Sequence, residues 1–536
     1  MRLYQQIRAS IARPAVSGAA VLLFAFGMPL SASGQTQQTT QPSAPVSSAT
    51  VPMQGTPLAM EDAVRMALEN NLGIQAEKLN PQIQVLGIAR ANGAYAPTLF
   101  SSLTQRSSTS PPTDFNTAAQ GQAISTNGNF STQGGVQQNL KWFGSSYSVA
   151  FDGSRVTTNQ INSVFNPQLG SGLNAQFNQP LLRGFKIDAL RTQLLTSQNN
   201  ASIADIQLQQ RITQTSRGVR ASYYALVGAI RGLEVAQESL RVAETSLKNN
   251  RTRVEVGAMA EIDITTAEAE VASNQEAVIV QQAQIETAQD QLRALIMNPS
   301  QPDFWNARFV PAEEPTLTTR AIDVDAAVRN ALSNRTDIRE FHKNMETTDI
   351  NLRFAANQKL PGIDLTARYG LAGVAGTRFS RGDDGSLIDP TIRSFADAVR
   401  DVFGNEFKTW SFGVNVSYPI GTSIADAAYA QGRIQQQQEK TTLASLEVSI
   451  TQQVRQAARD VNTNLRRVEA TRTAREFAEK RLAADNKRFE VGLATTFELL
   501  QSQRDLARAR SSELRAIIDY NQSLVDFEAV QVAPIR

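Results

Sequence analysis

Apolar residues recur every seven positions along this chain, over lengths that no globular domain needs. Ile212, Val219, Leu226, Leu233, Leu240, Leu247 and Val254 keep one register, and after Gly257 a second series runs through Ile264, Val271, Val278, Ile285 and Leu292. A heptad held over so many turns specifies helices that wind around neighbouring helices. Residues 188–255 read as one helix of about 68 residues, ~100 Å at 1.5 Å per residue. Residues 59–92 and 261–297 read as helices of roughly half that length, so two of them end to end match the long one. Such lengths suit a cylinder wall of uniform height.

The pattern is written twice. RVEVGAMAEID (253–263) returns as RFEVGLATTFE (488–498), and AVRMALENNLGI (63–74) returns as AVRNALSNRTDI (327–338). The early landmarks, Ala63 with Ala327 and Pro97 with Pro361, lie 264 positions apart (327 − 63). The late ones, Ala243 with Ala478 and Gly257 with Gly492, lie 235 apart (478 − 243). The first copy therefore holds about thirty extra residues between them. In the second copy Val454, Val461, Val468, Leu482 and Phe489 hold the heptad, with Arg475 interrupting, and Leu499, Leu506, Tyr520 and Phe527 continue it after Gly492. Each glycine stands between two helical series, where the backbone must turn. Two long copies make a tandem pair rather than a solenoid: residues 57–310 and 311–536.

Between the helices the period changes from seven to two. In TWSFGVNVSY (409–418) Trp410, Phe412, Val414, Val416 and Tyr418 share one face, and LNAQFNQ (173–179) and GIDLTARYGL (362–371) alternate likewise. A membrane barrel needs this apolar-out, polar-in alternation over about ten residues, and a soluble sheet with one wet face alternates identically. Pro97 and Pro361 stand before the first strand of each copy, Pro180 and Pro419 after the last. Proline fixes φ and lacks an N–H, which suits a site where a strand ladder stops. The polar Gly/Pro-rich loops at 108–122 and 380–390 would face outside.

The N-terminus supplies the compartment. Arg2, Arg8 and Arg13 precede the apolar run AVSGAAVLLFAFGMPL (15–30), and small residues follow in SASGQ (31–35). This order is that of a secretory signal peptide, residues 1–34, and the run is short for a membrane anchor. Residues 35–56, rich in Gln, Thr, Ser and Pro, read as a disordered linker. No later stretch approaches the ~20 apolar residues of a membrane helix.

Composition removes other classes. The chain has no cysteine, which excludes disulfides, zinc–cysteine sites, thiol catalysis and a lipidated N-terminal cysteine. Its single histidine, His342, lies in the charged helical pattern DIREFHKNMETT (337–348) and reads as a surface residue. A net charge of +2 gives no nucleic-acid footprint. No phosphate loop, metal-ligand spacing or nucleophile motif is present, so no catalytic residue, metal or cofactor is assigned.

Taken together, the duplication, FNQPLLRGF (177–185) at a strand-to-helix crossing and the tip motifs VGAMAEID (256–263) and VGLATTFE (491–498) resemble the TolC-type outer-membrane efflux family. The resemblance covers about residues 56–532. It implies an α+β membrane protein in the bacterial outer membrane with a large periplasmic portion. Three identical chains would share one β-barrel, with four to six strands per protomer, continued by a periplasmic α-helical coiled-coil tunnel. QQNLKWFGSSYSVAF (137–151) looks like a hairpin added to the family's usual four strands, with a tight turn at Phe143–Gly144. The implied function is a passive exit duct of a tripartite efflux or type I secretion system. Its partners would be a periplasmic adaptor, an inner-membrane pump of the RND, ABC or MFS type, and outer-membrane lipid.

By position, Val256, Gly257, Ala258 and Val491, Gly492, Leu493 would be the adaptor-docking tips. Glu261, Asp263, Glu498 and Gln501 would lie at the periplasmic gate. Glu498 takes a place usually held by aspartate, Gln501 replaces a second acid, and Ala494 stands where some members carry a gate-locking arginine. Carboxylates ringing a constriction attract cations, while the same acids at helix starts are favoured by the helix dipole alone. The competing reading is a periplasmic coiled-coil adaptor or structural protein without a pore. An adaptor normally has one hairpin, and this chain has two.

Overall fold

The structure, a computed structural model, describes residues 55–111, 125–160, 163–314, 317, 321–381, 387–421 and 423–531. The predicted signal peptide, nearly all of the predicted linker and parts of both long outer loops lie outside the described residues. In chain order the first half contains β1 (Thr56–Leu58), α1 (Met60–Asn70), α2 (Leu72–Gly93), β2 (Thr98–Ser110), β3 (Ser125–Asn139), β4 (Ser146–Thr158), β5 (Phe165–Pro180), α3 (Ala189–Glu255) and α4 (Ile262–Ile296). The second contains β6 (Phe309–Pro311), α5 (Val324–Asn334), α6 (Thr336–Gln358), β7 (Gly362–Arg381), β8 (Leu387–Arg393), α7 (Phe395–Gly404), β9 (Phe407–Ser417), α8 (Ile424–Glu490) and α9 (Thr496–Gln531).

Two helices of equal length set the frame, since α3 and α8 are each 67 residues long, ~100 Å. Each begins on a side-chain cap that satisfies amides left free at a helix start. The Asp188 carboxylate accepts from the Arg191 amide, and Ser423 and Asp426 cap each other reciprocally. Both α2 and α4 pack on α3 alone among the long helices, whereas α6 and α9 pack between α3 and α8. One chain is thus a wall four helices wide: α2 with α4, then α3, then α6 with α9, then α8. Heptad residues fill its seams, with Val219, Leu226, Leu292, Val454, Val461, Leu506 and Tyr520 buried.

The half-length helices meet at a belt. There α1 packs on α3 and α4, α5 packs on α8 and α9, and β1 pairs with β6 in parallel. The continuous helix expected over 59–92 divides at Asn71 (ψ 119°). The Asn71 side chain accepts from the Ile74 amide and donates to the Leu295 carbonyl, a local bond that competes with helix continuation. The second copy divides at the equivalent Arg335 (ψ 135°). Tyr223, buried on α3, donates its hydroxyl to the Leu58 carbonyl (3.0 Å) and accepts from the Glu313 amide (3.3 Å), and burial raises its phenol pKa.

The strands form one sheet in the order β2-β3-β4-β5-β7. Beyond β7 two short elements share one edge: β9 pairs with residues 362–372 of β7, and β8 with residues 376–381. The sheet is therefore six positions wide, and the surplus residues of the first copy are spent on the extra β3–β4 hairpin. Its turn is the one expected, with Phe143 (φ 54°) and Gly144 (φ 69°) both left-handed, a backbone twist that matches antiparallel strands. Pro97 immediately precedes β2, Pro361 immediately precedes β7, Pro180 ends β5 and Pro419 follows β9, so all four prolines mark strand ends.

Register gives the sheet two unlike faces. One row runs Leu99, Val136, Val149, Ala175, Tyr369, Trp410, and the next toward the helices includes Tyr147, Phe177, Ala367 and Phe412. The opposite face carries Gln137, Ser148, Gln176, Arg368 and Ser411 in one row and Gln133 and Asp152 in another. The apolar face is open: Trp410 is 73% exposed and Phe412 65%.

Replacing Tyr223 by Phe leaves the Leu58 carbonyl and Glu313 amide without their buried partner. The expected cost is about 1–3 kcal/mol, read as a lower denaturation midpoint of the detergent-solubilised protein.

Candidate functional site: the hairpin tips

Both long helices end in the same hydrogen-bonded turn. At the first tip the Gly257 amide donates to the Val254 carbonyl (2.9 Å) and the Ala258 amide to that of Arg253 (2.8 Å). At the second the Gly492 amide donates to Phe489 (3.2 Å) and the Leu493 amide to Arg488 (2.8 Å). This is a Schellman closure, which needs a left-handed residue after the cap, and Gly257 (φ 72°) and Gly492 (φ 74°) supply it. A Cβ at either glycine would meet no atom of the chain within 4 Å, so what each position requires is its backbone angle. The neighbouring side chains are left in the open: Val256, Val491 and Leu493 are 72%, 69% and 70% exposed.

The expected gate residues do not join one another within the chain. Glu261 is exposed and makes no capping bond, and Asp263 is half-buried in the first turn of α4. Glu498 accepts from the Thr495 amide (2.8 Å) and hydroxyl (3.2 Å), and these two bonds hold its carboxyl below the usual glutamate range. Gln501 donates to Asp505 (3.0 Å).

Other residues tie the two hairpins together. The Arg253 guanidinium lies 4.5 Å from the centre of the Phe489 ring and donates to the Phe489 carbonyl (3.3 Å). Further from the tips Arg504 on α9 bonds Glu270 on α4 through two nitrogens (2.8 and 2.5 Å), an ion pair whose carboxylate is only 11% exposed. Glu270 raises the Arg504 pKa further. Beside the tips α3, α8 and α9 leave a groove of about 530 Å³ lined by Thr245, Asn249, Arg253, Asn486, Phe489 and Gln503, among others. Sequence reasoning missed Arg253, Glu270 and Arg504. The only signal was their common distance of one to four turns from the glycines, on helices whose facing could not be read without the packing.

Comparison with known proteins is consistent with this geometry. Residues 139–297 and 327–530 match the model of the outer membrane efflux protein family. The chain belongs to that family. It is 21% identical over 388 residues to outer membrane protein TolC of Escherichia coli (strain K12), covering 68% of this chain and 73% of that protein. Among solved structures it resembles the CusC channel (TM-score 0.62, 16% identity, covering 88% of this chain and 91% of that one). It also resembles the Campylobacter jejuni CmeC outer membrane channel (0.62, 14%, 88% and 85%) and the open state of the Neisseria gonorrhoeae MtrE channel (0.58, 16%, 88% and 88%). The protein is an outer-membrane efflux channel component of the bacterial outer membrane with a periplasmic helical portion, and the adaptor reading falls away.

Glu498 makes the start of α9 sensitive to acid. Its carboxyl pKa is lower in the folded chain than in the unfolded one, so the stabilisation is present above the ordinary glutamate range and is lost as pH falls through the depressed value. Opening of the Thr495 amide, measured as hydrogen-exchange protection by mass spectrometry, is expected to increase on acidification through that window. In Glu498→Gln the same measurement should vary less with pH.

Proposed function

We propose that three copies of this chain close into a passive duct: an outer-membrane β-barrel, a periplasmic helical tunnel, and a gate at the two tips of each copy. One observation carries the reading. Both flanks of the four-helix wall expose apolar residues, Leu72, Leu79, Ile83 and Leu86 on α2 and Ile424, Ile434 and Val448 on α8, while among the described residues β2 and β9 are unpaired sheet edges on the corresponding sides. The two flanks differ, so the contact is head-to-tail, and a head-to-tail contact is satisfied throughout only when a ring closes. Strand edges in lipid demand the same closure.

In this arrangement the apolar face of Trp410, Phe412, Val414 and Val416 meets lipid, and the face of Gln176, Arg368 and Ser411 lines the bore. The chain itself does no covalent chemistry, and energy comes from an inner-membrane pump. An adaptor helix docks against Val256, Gly257, Ala258 and Val491, Gly492, Leu493, with the groove beside Phe489 as its seat. Glu261, Asp263 and Glu498 give three acids per copy at the mouth. With Ala494 and Gln501 in place of charged residues, the Arg504–Glu270 ion pair and the Arg253–Phe489 contact hold the hairpins together in the closed state.

Planar-bilayer recording of the purified protein tests the duct. Discrete conductance steps with cation preference are expected, and Glu261→Gln/Asp263→Asn/Glu498→Gln should weaken that preference. Arg504→Gln should raise the open fraction several-fold, since an ion pair of this exposure is worth on the order of 1 kcal/mol. A bilayer that stays silent with wild type and Arg504→Gln alike would sink the reading. Adaptor docking is tested separately by Gly257→Asn with Gly492→Asn: asparagine tolerates the left-handed turn, so trimers and conductance should persist while adaptor binding is lost.

A further inference from the structure

The return path beside β7 is interrupted. β8 ends at Arg393, opposite Gly376, and β9 begins at Phe407, opposite Ala372. Three residues of β7, 373–375, therefore face no strand on that side, and the intervening chain folds into α7. Arg393 repairs the gap: it donates to the Val374 carbonyl (3.1 Å) and grips both oxygens of Asp401 (2.7 and 2.9 Å). A Ser394–Asp397 capping box starts α7, and Asn405 in the left-handed region ends it. The helix is a built element, docked on the sheet.

Its docking face identifies its side of the sheet. Gly153, Ser171 and Gly373 form one row of the apolar face. A Cβ on Gly373 would lie 1.9 Å from the Ala398 carbonyl oxygen, and one on Gly153 would lie 3.1 Å from the Phe395 ring, so the helix rests on a bare floor. Tyr369, in an apolar-face row, donates its hydroxyl to the Asn405 side chain (3.0 Å). Ala398 and Val402 are fully buried against the sheet, whereas Phe403 on the outward side of the helix is 73% exposed. Ile392, on the same face of the sheet, is also exposed, and the Arg400 side chain is turned to solvent.

We propose that α7 lies on the outside of the barrel at the outer-leaflet boundary, with the Phe403 ring among lipid acyl chains and Arg400 at headgroup level. This rests on the barrel reading above. The occupant follows from continuity: the face α7 covers is the one that carries Trp410, Phe412, Val414 and Val416 toward lipid. The level follows from spacing. From Ser417 to Phe407 β9 rises ~35 Å along its length, or about 25 Å of height at a tilt of ~40°, which is the height of an apolar barrel band. Lys408, one pleat beyond Trp410 on that face, places a cation at the band's upper limit, and α7 lies immediately above it. An aromatic ring directed outward beside an arginine is the chemistry of an interfacial helix.

The test uses tryptophan fluorescence in vesicles of phospholipid brominated either near the carboxyl end or near the methyl end of the acyl chains. One variant keeps Trp410 alone (Trp142→Phe, Trp305→Phe), and the other has all three tryptophans replaced by Phe and carries Phe403→Trp. Both are expected to lose fluorescence to bromolipid, the Phe403→Trp indole more to the shallow bromines than to the deep ones. If Trp410 is quenched while the Phe403→Trp indole responds only to aqueous acrylamide, the helix is outside lipid and the proposal fails. If that indole is shielded from both quenchers, a neighbouring copy covers it and the proposal fails equally. If Trp410 itself escapes bromolipid, the barrel reading falls and this proposal with it.

Discussion

A strand edge or a bare peptide group has no partner in hydrocarbon, and this demand shapes the chain from one end to the other. Among the described residues nothing pairs the free sides of β2 and β9 or covers the apolar flanks of α2 and α8. The trimer we propose answers both demands with one operation, since sheet and wall run in the same order and end on the same sides. The added hairpin also bears on fit. Six strands ~4.8 Å apart and tilted ~40° subtend about 38 Å of circumference, and four helices at ~9.5 Å subtend about the same. Four strands at that tilt would subtend only about 25 Å. In the proposed trimer the β3–β4 hairpin lets a sheet of that tilt sit on the helical wall without tapering.

At the tips the two copies agree in backbone and diverge in the side chains behind the turns. Asp485 on α8 is tied to Ser502 (2.5 Å) and lies near Arg481 and Arg488. Its counterpart in the first copy is Asn250, buried with no hydrogen-bond partner for its amide, and the counterpart of Ser502 is Ala267. Phe489 likewise replaces Val254 and offers the ring on which Arg253 rests. The second hairpin is braced internally by the buried Asp485–Ser502 bond, the first by an exposed Arg251–Glu268 ion pair (2.6 Å), and the two are joined through Arg253 and through Glu270 with Arg504. The two turns are alike, and the bonds behind them differ in burial.

Much of this was legible in the residues. Heptads, tip glycines, alternating strands and strand-end prolines each reflect a local rule of backbone geometry; the long helices and the strand at 409–418 fell within a few residues of their places, whereas the strands read at 173–179 and 362–371 extend to Phe165–Pro180 and Gly362–Arg381. Arg475, which breaks the heptad, is held at its seam by Glu479 (2.9 Å) and Glu513 (2.5 Å), so the interruption is an ion pair rather than a gap. The break at Asn71 was not legible, because a capping asparagine inside a helical pattern signals only once Leu295 is known to lie beside it. The inserted α7 was hidden for a similar reason. Residues 395–404 are amphipathic, but their apolar side is matched to a floor of glycine and serine contributed by β4, β5 and β7, far away in sequence.

The matched spans of α3 and α8 have one more implication. Both hairpins must reach the same depth for their ends to meet in one plane, and each long helix is shadowed by two short ones that together fill its height. Gaining or losing a single heptad in one of them would shear every seam it shares and set one tip below the other. Change of stature is open to this architecture only by steps taken in both halves at once, descending and ascending helices alike, so the reach of the duct across the periplasm is inherited as a quantised dimension.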